Sequence, residues 1–235
     1  MPTFDPLTPL MEHAAVAQAA QRAAAALARV HRRPAALRRA DVISSESLLR
    51  GARACVALGG KRIPAVEPAE VEAGPLGPVV SAYSLLGPGV QERTVRVFAR
   101  APIQVLARVD VAAGGSGTPA AEPAAAQALA QLITQGAGRD FDVLLPAVVH
   151  AEIAARELFG PRSTCVALVT ARAAAIHTGL DPRGLAVPET YLNRHRQSYA
   201  DALAAYPQEP AELLGLLMQA WEAGAAEADG IARAA

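Results

Sequence analysis

The chain has 235 residues, 22 basic and 22 acidic side chains, 52% apolar residues and only 4% aromatic ones. Nothing in this balance suggests a basic nucleic-acid surface, and the two cysteines exclude a disulfide framework or a CxxC metal knuckle. No uncharged apolar run reaches the ~20 residues that cross a bilayer, and the opening MPTFDPLTPLMEH has no basic region leading into an apolar run. Neither nucleic acid nor membrane is therefore expected as a partner, and a cytoplasmic location without a signal peptide is expected.

Alanine supplies most of the apolar share and is the strongest helix former, so the expected class is all-α. Met11 to Val30 reads as an alanine-rich helix, followed by the basic stretch HRRPAALRRADV with Pro34 inside it. SSESLLRGARACVALGG reads as a helix capped by Ser44 or Ser45 and stopped at Gly59-Gly60, with Leu48, Ala52, Cys55 and Gly59 on one face. Residues 62–90 are dense in Pro and Gly and read as an insert enclosing one short helix near Val79 to Leu86. TVRVFAR alternates and suggests a strand, whereas Ile103, Leu106 and Val109 recur at helical spacing. Residues 114–123 read as a flexible linker before a helix ending near Thr134.

Phe141 to Phe159 reads as the next helix, with Pro146 a candidate for its start. His150 lies seven residues before Glu157, which would set both on nearly one face. Thr164 to Thr178 is another helix, ended by Gly179, and Tyr191 to Ala205 and Pro210 to the C-terminus complete the set. The two cysteines, Cys55 and Cys165, sit in apolar helical patterns and read as small buried hydrophobes. No HExxH occurs and no second histidine lies four from His150, so no metal site is expected.

The stretch VVHAEIAARELFGPRSTCVALVTARAAAIHTGLDP resembles the core of the Fic (Fido) family, in a divergent actinobacterial form. The family pattern is a histidine, an aromatic three residues later, and then HPFxxGNGRxxR. Here His150 stands at the first position, Ile153 at the aromatic one, and Glu157-Leu158-Phe159 where HPF belongs. Arg162-Ser163-Thr164-Cys165 replaces GNGR, and Leu168 replaces the last arginine, so Phe159 alone survives from the signature. HTGLDPRGLAVPE and RQSYADAL, with Arg196, Tyr199 and Leu203, resemble the segments that follow the family core. SESLLRGARACVALGG resembles the helix carrying the inhibitory pattern [ST]xxxE[GN], with Cys55 at the Ser/Thr place and Gly59 at the glutamate.

The resemblance implies a Fic-like helical bundle with a central helix-turn-helix core. It divides the chain into an N-terminal helical extension at 1–40 and a Fic-like domain at 41–235. In the family the motif backbone cradles nucleotide phosphates at a helix N-terminus, the histidine accepts a proton from a target hydroxyl, and AMP passes to a protein. In this sequence Glu157 replaces that base, Arg162 and Thr164 replace the glycines, and both partners of the inhibitory ion pair are gone, as Gly59 and Leu168.

Three functions remain open at this level. The first is a pseudoenzyme that no longer transfers AMP and acts by binding or regulating a protein partner. The second is a residual nucleotidyl- or phosphotransferase with Glu157 or His150 as base and Arg162, Ser163 and Thr164 as an anion site, the only case that calls for ATP and Mg. The bland alternative to that anion site, and the favoured one, is a helix corner capped by Ser163 or Thr164, with His150 packed beside the core and Glu157 paired to Arg156, Arg162 or Arg196. The third is an oxidoreductase, resting only on GGSG at Gly114 to Gly117 and LGG at Leu58 to Gly60; neither follows a strand in a βαβ unit. The alanine-rich N-terminal helix and the helix around Trp221 offer faces for a homodimer.

Overall fold

The structure is a computed structural model that describes residues 5–60, 74–120 and 123–234. The described residues form helices and no strand, so the all-α class holds. In chain order the helices are α1 (Thr8–Met11), α2 (Ala14–His31), α3 (Pro34–Arg38), α4 (Ala40–Leu58), α5 (Leu76–Ser84), α6 (Gln91–Arg100) and α7 (Pro102–Ala112). Then come α8 (Pro123–Gln135), α9 (Arg139–Ala155), a 3-10 turn (Gly160–Arg162), α10 (Ser163–Thr178), α11 (Pro188–Arg194), α12 (Arg196–Ala205) and α13 (Pro210–Ala234).

Two helix pairs organise the bundle. Helix α10 pairs with α9 and is also packed by α4, α5, α6 and α7. Its residues from Cys165 to Ala175 are buried on every side, the pattern of a central helix rather than an amphipathic surface one. Helix α2 lies along α13, joined by small side chains such as Ala19, Ala20, Ala23, Gly224, Ala225 and Ala228, all buried. Such residues let helix axes approach closely. At Gly224 a Cβ would stand 2.7 Å from the Pro188 backbone nitrogen, so the chain before α11 can lie directly on α13.

Several local expectations are corrected. TVRVFAR is helical, because Thr94 and Phe98, four apart, both bury: Thr94 Oγ1 donates to the Leu85 carbonyl at 2.7 Å and Phe98 meets His177 edge-on. Helix α9 begins at Arg139 and Pro146 lies inside it. Its start is set by a distant residue, Asp5, whose carboxylate accepts from the Asp140 and Phe141 amides at 2.8 and 3.0 Å. That is a cap supplied from outside the helix, invisible to local capping rules. Helix α4 begins at Ala40, so Ser44 is buried in its second turn and caps nothing. The Tyr191 to Ala205 segment is broken at His195, where φ and ψ are −110° and 34°. In the 62–90 insert the helix falls at Leu76–Ser84, while residues 61–73 lie outside the described ones.

Among the described residues one ion pair is fully buried. Arg172 on α10 donates from Nε to Glu189 Oε1 at 2.6 Å and from Nη2 to Oε2 at 2.9 Å, with the two side chains 1% and 0% exposed. Tyr83 Oη donates to the same carboxylate at 3.0 Å, and Arg172 Nη1 donates to Ser47 Oγ at 3.2 Å. Ser47 in turn donates to the Ala186 carbonyl at 2.8 Å. Burial opposes the charge on Arg172, but the adjoining Glu189 carboxylate outweighs it and holds the guanidinium above its ordinary value. Removing one partner leaves an uncompensated interior charge, whereas removing both does not. Arg172→Met or Glu189→Leu alone is therefore expected to cost about 3–5 kcal/mol in urea unfolding, and the double variant less than either single one. Additive losses would show that the charges act independently.

Candidate functional site

The corner between α9 and α10 carries most of the residues singled out by sequence. Helix α9 ends at Ala155 because Glu157 adopts a left-handed conformation, φ 49°. The Leu158 amide donates back to the Ile153 carbonyl and the Glu157 amide to the Ala154 carbonyl, both at 3.2 Å. This pair of bonds is a Schellman motif, completed by apolar contact positions Ile153 and Leu158, both 0% exposed. Glycine normally fills the left-handed position; glutamate there hides the helix end from a sequence reading. The expectation that His150 and Glu157 share a face fails for this reason: His150 is buried, whereas Glu157 is exposed beyond the end of the helix.

The polar groups of the corner are engaged internally. The Ser163 Oγ accepts from the Phe159 amide at 2.8 Å. Ser163 is the first residue of α10, and neither it nor Thr164 caps the helix through its side chain, contrary to the capped-corner expectation. Thr164 lies beside the Tyr199 hydroxyl. That hydroxyl also stands 2.7 Å from His150 Nε2, and both rings are buried. Arg162 Nε donates to Asp110 Oδ1 at 2.7 Å. Asp110 is 0% exposed, and its other carboxylate oxygen accepts from the Gly117 amide at 2.9 Å. Cys165 is a neighbour of Cys55 on α4, and both thiols are free and buried.

The expected salt bridge of Glu157 is not formed among the described residues: Arg156 pairs with Glu152 at 2.6 Å and Arg162 with Asp110. The 114–123 linker is not loose where it is described. Asp110 holds Gly115 and Gly117, and the Ala120 amide donates to the Leu158 carbonyl at 2.7 Å, so this strap lies against the corner. A Cβ at Gly115 would collide with the Asp110 carboxylate at 2.1 Å; glycine is required for that approach. The GGSG and LGG glycines lie at the ends of helices α7 and α4, and neither follows a strand among the described residues. Gly59 itself is exposed at the end of α4.

Alignment of α4 along α10 is antiparallel. Ser47 and Gly51 flank Arg172, and Cys55 meets Cys165 near the start of α10. Gly51 sits where a Cβ would stand 2.8 Å from both Arg172 Nη2 and Tyr83 Cε1. Sequence reasoning missed Asp110, Tyr83 and Glu189, because their partners lie far away along the chain.

The chemistry open to these groups is limited. Burial drives His150 from its ordinary 6.5 down to about 3, so the ring is neutral. Contact with Cys165, then burial, pushes the Cys55 thiol well above its ordinary range, which opposes a nucleophilic thiolate. Among the described residues no three His, Cys, Asp or Glu side chains converge to hold a metal ion, and no helix is long and apolar enough to cross a membrane. The sequence matches no protein-family model and no curated protein.

Two measurements follow from this geometry. An exposed L-residue in the left-handed region costs about 1–2 kcal/mol, so Glu157→Gly should leave stability unchanged or raise it by up to ~1 kcal/mol in urea. A loss would reveal a stabilising contact of the carboxylate. For His150, the unfolded chain takes up a proton near 6.5 while the folded one resists until about 3. Stability should therefore fall as pH drops through that window and be unaffected above it. His150→Gln, which retains a polar partner for Tyr199, should flatten the slope; an unchanged slope would place the acid sensitivity elsewhere.

Proposed function

We propose that the chain is a Fic-fold protein that has lost AMP transfer and acts by binding. Two observations support the family part of this reading. The helix resembling the family's inhibitory helix lies along the helix resembling its core, and the RQSYADAL segment packs onto His150 through Tyr199.

The observation that carries the loss of chemistry is the internal engagement of the corner. Arg162, the one cation placed to clamp a phosphate, is held by the buried Asp110. Thr164 faces Tyr199, Ser163 serves the Phe159 amide, and the strap from Gly115 to Ala120 lies alongside. An incoming phosphate would have to displace Asp110 and then sit beside its carboxylate. Glu157 adds a further negative charge at the position of the lost base. The residues present do not fit ATP and Mg.

Purified protein incubated with α-labelled ATP, Mg and a bacterial lysate is expected to label neither itself nor other proteins. Calorimetry should detect no ATP binding at millimolar concentration. Incorporation that Glu157→Ala abolishes would establish a working transferase and overturn the proposal.

A further inference from the structure

A groove lies far from the corner, where the C-terminal halves of α2 and α13 meet the start of α3. It encloses about 530 Å³, within the ~300–1,000 Å³ typical of ligand sites. Its apolar lining comes from Ala26 and Val30 on α2, Pro34 on α3, and Ala225 and Ala226 on α13. Its rim is cationic: Arg29, Arg32 and Arg33.

Charge pairing at the rim is unequal. The acids in the groove wall are already engaged. Asp229 takes Arg33 at 2.6 Å, and Glu222 takes Arg22 at 3.0 Å. Arg29 and Arg32 are exposed and have no ion-pair partner among the described residues, and the same holds for Arg38 and Arg39 just beyond. Leu37, between them in sequence, is 58% exposed. The balanced charge of the whole chain conceals this local surplus.

We infer that this groove is a docking site for an acidic peptide segment of a partner protein, with one aliphatic side chain seated in the cleft and carboxylates on Arg29 and Arg32. Charge complementarity selects an anionic partner, and guanidinium groups suit carboxylates through paired N–H donors. The concave, apolar floor selects a side-chain anchor; single-stranded nucleic acid would call in addition for exposed aromatic platforms on which its bases stack, and the only tryptophan, Trp221, is buried. A membrane surface would meet the convex side and leave the cleft unused. This inference concerns a surface separate from the α9–α10 corner and stands whether or not that corner has lost transfer chemistry.

The test is fluorescence anisotropy with a short fluorescein-labelled peptide carrying glutamates around a single leucine. Saturable binding that weakens with added salt is expected. Arg29→Glu combined with Arg32→Glu should weaken it at least tenfold. So should Ala226→Phe, which fills the cleft from an exposed position that leaves the fold intact by circular dichroism. Replacing the glutamates by lysine, or the leucine by serine, should abolish or strongly weaken binding. The inference is overturned if the glutamate–leucine peptide does not bind. It also fails if Ala226→Phe leaves affinity unchanged, or if phosphatidylglycerol vesicles or duplex DNA bind in its place with the same arginine dependence.

Discussion

Two charges buried in the centre of the bundle constrain much of what surrounds them. Arg172 cannot keep its charge in that interior without Glu189, and Glu189 cannot without Arg172. Their bidentate contact therefore ties α10 to α11, and the additional donors from Tyr83 and acceptors on Ser47 tie in α5 and α4. The requirement extends to glycine: Gly51 leaves room for the guanidinium and the Tyr83 ring to come against α4. A core of alanine-sized residues offers little shape specificity by itself. A polar cluster that must be fully satisfied gives such a core one preferred arrangement, since slipping α4 or α11 by one turn would strand a charge.

The same logic continues along α10 towards its N-terminus. Cys165 meets Cys55, Thr164 meets Tyr199 and through it His150, and Ser163 meets the Phe159 amide. Each polar side chain faces another element of the fold rather than an open site. In an enzyme of the family these positions would present backbone amides and a proton acceptor to substrate. Here they spend their hydrogen bonds on holding α4, α9 and α12 against α10. On the proposed Fic reading, conversion of a catalytic corner into a structural one would require this exchange, because a buried donor or acceptor left without substrate would destabilise the fold by about 1–3 kcal/mol.

Much of the architecture was legible because alanine content, helical spacing and glycine stops act locally. The all-α class and most helices follow from them. What escaped was set at a distance or by an uncommon residue in a common role. Asp5 caps α9 from more than a hundred residues away, so Pro146 looked like a better start than Arg139. Glu157 ends α9 in a conformation usually given to glycine, so the helix seemed to run on and the His150–Glu157 spacing suggested a shared face. At TVRVFAR the alternation of apolar residues competed with the four-residue spacing of Thr94 and Phe98, and burial against Leu85 and His177 decided for helix. At the candidate site, the named residues do cluster around one corner, but the group that determines the behaviour of Arg162 is Asp110, which carries no motif.

Charge is distributed in a way that separates scaffold from surface. Acidic and basic residues balance over the whole chain, and in the interior they are paired one to one. The surplus is displaced to one end of the bundle, where α2 turns into α3 and then α4, within the sequence Arg29 to Arg39. The four of its five exposed arginines that have no ion-pair partner among the described residues, Arg29, Arg32, Arg38 and Arg39, repel one another at a cost that a protein without use for them could remove by single substitutions. Their helices end there for other reasons: His31 at the end of α2 is clasped to the buried Asp181 at 2.7 Å, and Asp181 also receives the Leu185 and Ala186 amides. That clasp ties the arginine-bearing end of α2 to the segment that follows α10, and it sets Arg29, Arg32 and Arg33 around an apolar cleft. An array of unpaired charge beside apolar surface is the preorganised form that binding requires, in contrast to the corner, where Arg162, Ser163 and His150 already have partners within the fold.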